Sequence, residues 1–184
     1  MQYKFKFNLN DQDYYEFNKY HLSNAPDMKK RNFWLKLYVP ALFLLMLVFN
    51  ILNGYDLDWL YISVIIYSVI SVIWIFSIKY LALMFLKLRI RIMEKNGKMP
   101  YSKSVTMHFF EDYFTEITPD TKSDVKYTAV TRISVSASKA IYIYTNIILA
   151  YIIPYNAFHS QAEHEEFLQF INEKVSTEHT DDNV

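Results

Sequence analysis

The runs LYVPALFLLMLVFNILNGY (residues 37–55) and WLYISVIIYSVISVIWIFSI (residues 59–78) hold 19 and 20 residues without one ionisable side chain. About 20 helical residues cross the hydrocarbon core of a bilayer, so each run predicts a membrane-spanning helix. Neither run keeps the polar face that a half-buried helix of a water-soluble protein would show. Only Asp56, Leu57 and Asp58 separate them, which suffices for a tight turn. The expectation is a helical hairpin that crosses and returns, within a segment spanning 33–94.

Charge orients the hairpin. Lys29, Lys30, Arg31 and Lys36 precede it, and Lys79, Lys87, Arg89 and Arg91 follow it, whereas the turn carries Asp56 and Asp58 and no base. Lys and Arg near span ends stay cytoplasmic, so both termini are expected in the cytoplasm and the two aspartates in an extracytoplasmic turn of a multi-pass cell-membrane protein. The eight bases are the expected membrane-surface contacts, each worth about 1 kcal/mol beside an anionic leaflet. No cleavable leader is expected, because mostly polar residues precede the first apolar run.

Net charge is zero only on average. Residues 79–103 carry 7 bases and 1 acid, whereas 104–184 carry 5 bases and 12 acids. The absence of cysteine excludes disulfides and thiolate chemistry. Gly54 and Gly97 are the only glycines, which excludes a glycine-rich phosphate loop.

Around the hairpin the texture is α+β. Tyr3, Phe5, Phe7 and Leu9 alternate with polar residues, as in a strand with one buried face. Asn10 or Asp11 caps a short helix that Pro26 ends. These form an N-terminal cytoplasmic strand–helix element, residues 1–32, expected to dock on the C-terminal domain. In the hairpin, Pro40 is expected in the first turns of helix one. Asn50 and Asn53 are expected to face Ser63, Tyr67 and Ser71. Helix two extends as a stem to about Met93. Six strands are expected after it: Val105 to Phe110, Tyr113 to Thr118, Val125 to Val130, Arg132 to Ala137, Ala140 to Tyr144 and Ile147 to Ile153, with a hairpin turn at Thr145-Asn146. Ser160-Gln161-Ala162-Glu163 reads as a capping box opening a helix that buries Phe167, Leu168, Ile171 and Val175. An antiparallel rolled sheet closed by a C-terminal helix is the architecture of a pleckstrin-homology-like (PH-like) domain, here 101–176, with 177–184 as a disordered tail.

The stretch Tyr151-Ile152-Ile153-Pro154-Tyr155-Asn156-Ala157-Phe158, followed by Glu166-Phe167-Leu168, resembles the C-terminal signature of the YcxB-like bacterial family. That signature usually reads Ile-Pro-Lys-Arg-Ala-Phe before a helix with a Phe-Leu pair. The early Asp11-x-Asp13-Tyr14-x-x-Phe17-x-x-Tyr20-His21-Leu22 is similar to the family's N-terminal element. The resemblance implies a small bacterial inner-membrane protein with a cytoplasmic PH-like module, and no activity or cofactor. Ile153, Pro154, Ala157 and Phe158 carry the motif. Tyr155 and Asn156 replace its Lys-Arg pair, so an anionic ligand is not expected there.

No catalytic, cofactor or metal site is expected. His159 and His164 stand beside Glu163, Glu165 and Glu166, but their spacing matches no metalloprotease motif. His108 lacks a nucleophile or carboxylate partner in any recognisable motif. The acidic C-terminal third disfavours nucleic acid. Lys126 and Arg132 would hold one phosphate if the fold brought them together. PH-like sheets also take peptides along an open edge. The sequence therefore points to a membrane-tethered cytoplasmic interaction or regulatory module that binds a protein partner without catalysis. The alternatives are an immunity or envelope-stress protein acting against a membrane-active peptide, or a transporter accessory subunit. A homodimer suits so thin a helical bundle, although no GxxxG motif specifies one.

Overall fold

A computed structural model of the chain describes residues 2–136 and 140–181. It divides into two units, Met1–Asn18 with Met93–Val184 and Lys19–Ile92. The first is discontinuous in sequence, with the hairpin inserted into it.

The insertion follows from strand pairing. β1 (Tyr3–Asn8) runs antiparallel to β2 (Ser104–Phe109), with Phe5 opposite Met107 and Asn8 opposite Ser104. β3 (Tyr113–Ile117) and β4 (Lys122–Lys126) complete a four-stranded sheet in sequential order. The alternation read in residues 3–9 is real: Phe5 and Phe7 are buried while Lys4 and Lys6 are exposed. A second antiparallel sheet holds β5 (Arg132–Val135), β6 (Ile141–Tyr144) and β7 (Ala150–Ile153). α1 (Asp11–Asn24) starts at Asn10, whose Oδ1 accepts the N–H groups of Gln12 and Asp13, while Asp13 accepts the Asn10 N–H.

Several strand limits differ from expectation. β4 begins at Lys122, and Tyr127–Ala129 form a 3-10 turn instead of continuing it. The fully buried Tyr127 donates its hydroxyl to the Phe110 carbonyl at 3.0 Å, which holds that turn against the β2–β3 connection. β7 starts three residues late, because Asn146 Oδ1 accepts both the Ile148 and Leu149 N–H groups and closes a loop there. Lys139, counted among the bases of the sheet region, lies outside the described residues.

α4 (Gln161–Asp181) follows β7. Ser160 Oγ accepts the Glu163 N–H at 3.1 Å, as a capping box requires. The reciprocal bond, however, runs from the His159 N–H to Glu163, one residue earlier than expected. Phe167 and Ile171 are fully buried, joined by His164, with Leu168 and Val175 only half-buried. The helix passes the boundary placed at residue 176, and residues 182–184 lie outside the described residues.

Phe167 centres the core. Its ring lies 4.9 Å from Phe5, 4.7 Å from Phe109 and 5.7 Å from Phe158, with the Phe5 and Phe109 contacts edge-to-face. Aromatic pairs at such spacings contribute about 0.5–1.5 kcal/mol beyond their burial.

The second unit contains α2 (Pro26–Leu52) and most of α3 (Leu57–Lys95). Pro26 begins α2, where a missing N–H costs nothing, so helix one is longer than its apolar run and Pro40 falls in its interior. The turn occupies Asn53 to Asp56, and Leu57 and Asp58 already belong to α3. Gly54 adopts φ +70°, which lets its N–H and that of Tyr55 reach back to Ile51 and Asn50. Both helices are long and apolar enough to cross a membrane. Asn53 bonds its own helix, at the Phe49 carbonyl, and Tyr67 stacks on Phe43 at 4.6 Å. The bond that joins α2 to α3 comes from Trp74, whose Nε1 donates to the Leu35 carbonyl at 2.9 Å.

Replacing Phe5 by Ala should cost about 3–5 kcal/mol, the usual price of a buried phenylalanine. Denaturant unfolding of the C-terminal unit, followed in the full chain, measures it. A loss below about 0.5 kcal/mol, typical of a surface change, would show that β1 is not part of that sheet.

Candidate functional site

The first unit holds a cleft of about 580 Å³, within the range of sites that bury a ligand. Strand alternation places an acid in it. Glu116 faces the same side of β3 as the buried Phe114 and stands in a row with Met107 of β2 and Ser123 of β4. Burial pushes its carboxyl above the usual range. Asp120, in the β3–β4 turn, is the second acid of the lining, and no Lys or Arg lines it among the described residues. That turn is fixed by Thr118, whose Oγ1 accepts the Thr121 N–H at 3.0 Å.

The opposite wall is aromatic. Tyr14 and Tyr101 lie 5.5 Å apart, and the Tyr101 hydroxyl donates to Asp11 at 2.5 Å. Burial and the Asp11 carboxylate both raise the Tyr101 pKa, so this group remains a donor throughout the physiological range.

The third wall is β7, an edge strand paired only with β6 among the described residues. Tyr151 anchors it through an edge-on contact with Phe114 at 5.1 Å. At its start stand Ile147, Ile148 and Leu149, 66%, 66% and 63% exposed. Their backbone is tied by Asn146, so the exposure is built into the loop. Covering each such side chain is worth about 1.5–3 kcal/mol. Sequence reasoning placed these residues inside a strand and missed the site. The Asn146 turn signal was legible, as was the placing of Glu116 on the same face as Phe114.

A second feature is a basic outer face on the four-stranded sheet. The register aligns Lys4, His108, Thr115 and Asp124 in one row, and Lys6, Thr106, Ile117 and Lys122 in the next. Lys126 shares that outer face, opposite Tyr113. β1 thus adds two lysines to a surface that residues 104–184 alone would leave weakly basic. Burial, Lys4 and Lys122 all push the His108 pKa down, which keeps it neutral. Arg132 belongs to the other sheet, where its guanidinium lies 4.1 Å over the Tyr144 ring, so it does not share a sheet with Lys126.

The remaining predicted residues are placed as follows. Ile153, Pro154, Ala157 and Phe158 are buried at the corner between β7 and α4, where a 3-10 turn over Tyr155–Ala157 turns the chain. Tyr155 and Asn156 are exposed. The motif is therefore a packing corner. Lys29, Lys30, Arg31, Lys36, Lys79, Lys87, Arg89 and Arg91 are all exposed, as are Asp56 and Asp58. His159 pairs with Glu163 at 3.0 Å, whereas His164 is buried 4.9 Å from the Phe158 ring. No group of three or more His, Asp or Glu able to hold a metal ion occurs among the described residues.

The architecture is that of an α+β unit carrying an inserted hairpin of two long apolar helices. Residues 109–171 match the family model of the YcxB-like proteins, from the end of β2 to the middle of α4. The resemblance read at the Ile153–Phe158 corner is thus borne out over this stretch, about a third of the chain. No curated protein and no solved structure matches.

Glu116→Gln should stabilise the protein near neutral pH. A raised carboxyl pKa means the fold disfavours the charged form, so the native stability falls as pH rises from the unfolded value through the folded one. The melting temperature of the variant should exceed the parent's by a few degrees at pH ~7.5, and the two should converge near pH ~4. A variant less stable than the parent at neutral pH would contradict this assignment.

Proposed function

We propose that this chain is a membrane-anchored interaction module whose cytoplasmic unit docks an extended segment of a protein partner in the cleft. The observation that carries it is the three-residue apolar tip, Ile147 to Leu149, held open beside the free edge of β7. An edge strand offers unpaired N–H and C=O groups to an added strand, and the flanking tip offers apolar cover for its side chains. The lining selects the partner. Glu116 and Asp120 with no base favour a segment that combines apolar residues with a Lys or Arg.

Anchoring rests on α2 and α3. Leu45, Phe49 and Phe76 are 67%, 61% and 80% exposed, so these helices keep apolar surface that water would not tolerate. The flanking bases and the aspartates of the turn support a topology with both termini cytoplasmic. The order of four strands, three strands and a closing helix supports a PH-like fold. Catalysis has no constellation to carry it among the described residues.

Two measurements test the reading. The chain has no cysteine, so Asp56→Cys gives a single label site. It should react with an impermeant maleimide in intact cells, whereas Ser176→Cys should react only after permeabilisation. The reverse pattern would overturn the topology. Ile148→Asp, at an exposed position, should leave stability within about 0.5 kcal/mol of the parent. It should also lower capture of the partner in in-cell crosslinking of the full chain about tenfold or more, as loss of an interface anchor does. Undiminished capture would sink the cleft as the docking site.

A further inference from the structure

In the hairpin unit, Trp74 fixes the height of α3 against α2 through its bond to the Leu35 carbonyl, and the stacked pair Phe43 and Tyr67 repeats the same antiparallel register two turns away. At this register the apolar run ends sooner on α2, at Leu37, than on α3, where it reaches Ile78. The mismatch leaves a cavity of about 120 Å³ between the helices. Lys36 lines it from α2 and Lys79 from α3, with Asn32, Ser23 and Ile78 around them. Neither lysine has a hydrogen bond or ion pair with another described residue.

Two lysines lining one cavity beside a low-dielectric layer attract an anion. Among the described residues, the cavity lining does not supply it. Residues 19–92 contain nine bases and three acids, and two of those acids, Asp56 and Asp58, stand in or beside the turn at the far end of the hairpin. Lys79 is also the one base within the apolar stretch from Trp59 to Leu86. The Ile78, Ala82 and Leu83 wall adds the apolar contact an acyl chain would use.

We infer that this cavity is a binding site for a phosphodiester anion, the headgroup of an anionic phospholipid, held between Lys36 and Lys79. The inference rests on the hairpin spanning the membrane, and the Asp56→Cys labelling above tests that separately. The experiment is the thermal stability of the full-length protein in neutral detergent, titrated with phosphatidylglycerol, phosphatidylcholine or inorganic phosphate. Phosphatidylglycerol should raise the melting temperature well beyond phosphatidylcholine. K36Q/K79Q should weaken its apparent affinity by about an order of magnitude or more, in line with two lost bases beside an anionic lipid. K29Q/K30Q, which removes two bases outside the cavity, should keep most of the effect, and K36R/K79R should restore it. Equal losses in the two glutamine pairs would overturn the site in favour of diffuse attraction. Saturation by inorganic phosphate with the same shift would keep the anion site and overturn the lipid as its source. Absence of any preference for phosphatidylglycerol in the parent, while labelling confirms the span, would overturn the proposal outright.

Discussion

The packing of Phe167 against Phe5 and Phe109 is the contact on which the architecture depends. Phe5 precedes the hairpin and Phe109 follows it, so no segment on one side of the hairpin can build this core alone. The chain must leave the sheet after β1 and come back to pair Asn8 with Ser104. A flexible loop of that length would carry a closure cost that grows with its logarithm. Two antiparallel helices joined by a four-residue turn bring the ends of the insertion near each other and reduce it. The Trp74–Leu35 bond and the Phe43–Tyr67 stack serve that end directly, since they fix the two helices side by side.

What could be read in the sequence followed local periodicity. The apolar runs, the alternation of Tyr3 to Leu9, the Asn10 cap and the Ser160 cap each depend on side chains within a few positions, and each lies where the pattern put it. The misplaced features turn on a second local signal that competes with the first, or on a partner in another helix. Pro26 ends one helix, as expected, and also starts the next, because a proline at a first turn is pre-set for helix. Ile147 to Leu149 have strand-like residues, yet the Asn146 side chain satisfies the two N–H groups a ladder would use. Asn50 and Asn53 looked like interhelical partners by residue type. Register gave the role to Trp74 instead.

Charge shows the same division between local and distant information. A count over residues 104–184 finds an acidic domain and argues against any anionic contact. The sheet draws on β1 as well, and the register gathers Lys4, Lys6, Lys122 and Lys126 on one outer face. Of the acids, Asp124 shares that face, whereas Glu165, Glu166 and Glu173 are exposed on α4 and Glu116 lines the cleft. A segment count averages over surfaces that the fold separates, so it cannot decide what any one of them will bind.

The two cavities therefore have opposite selectivity. Among the described residues, the cleft is lined by carboxylates and no base, and the hairpin cavity by two lysines and no carboxylate. A cationic apolar segment suited to the first would be repelled by the second, and a phosphodiester suited to the second would be repelled by the first. Each site excludes the other's ligand by uncompensated like charge, which discriminates more strongly than small differences in shape. On the two proposals made above, lipid held between Lys36 and Lys79 would occupy its cavity without competing for the cleft, and occupancy of the cleft would depend on the Ile147–Leu149 tip and on the ionisation of Glu116. Because burial already disfavours the charged form of Glu116, a cation brought by the partner would relieve a cost present in the free protein. An acid tolerated on the core-facing side of a strand, at the expense of stability, has a physical reason to be there only if something positive meets it.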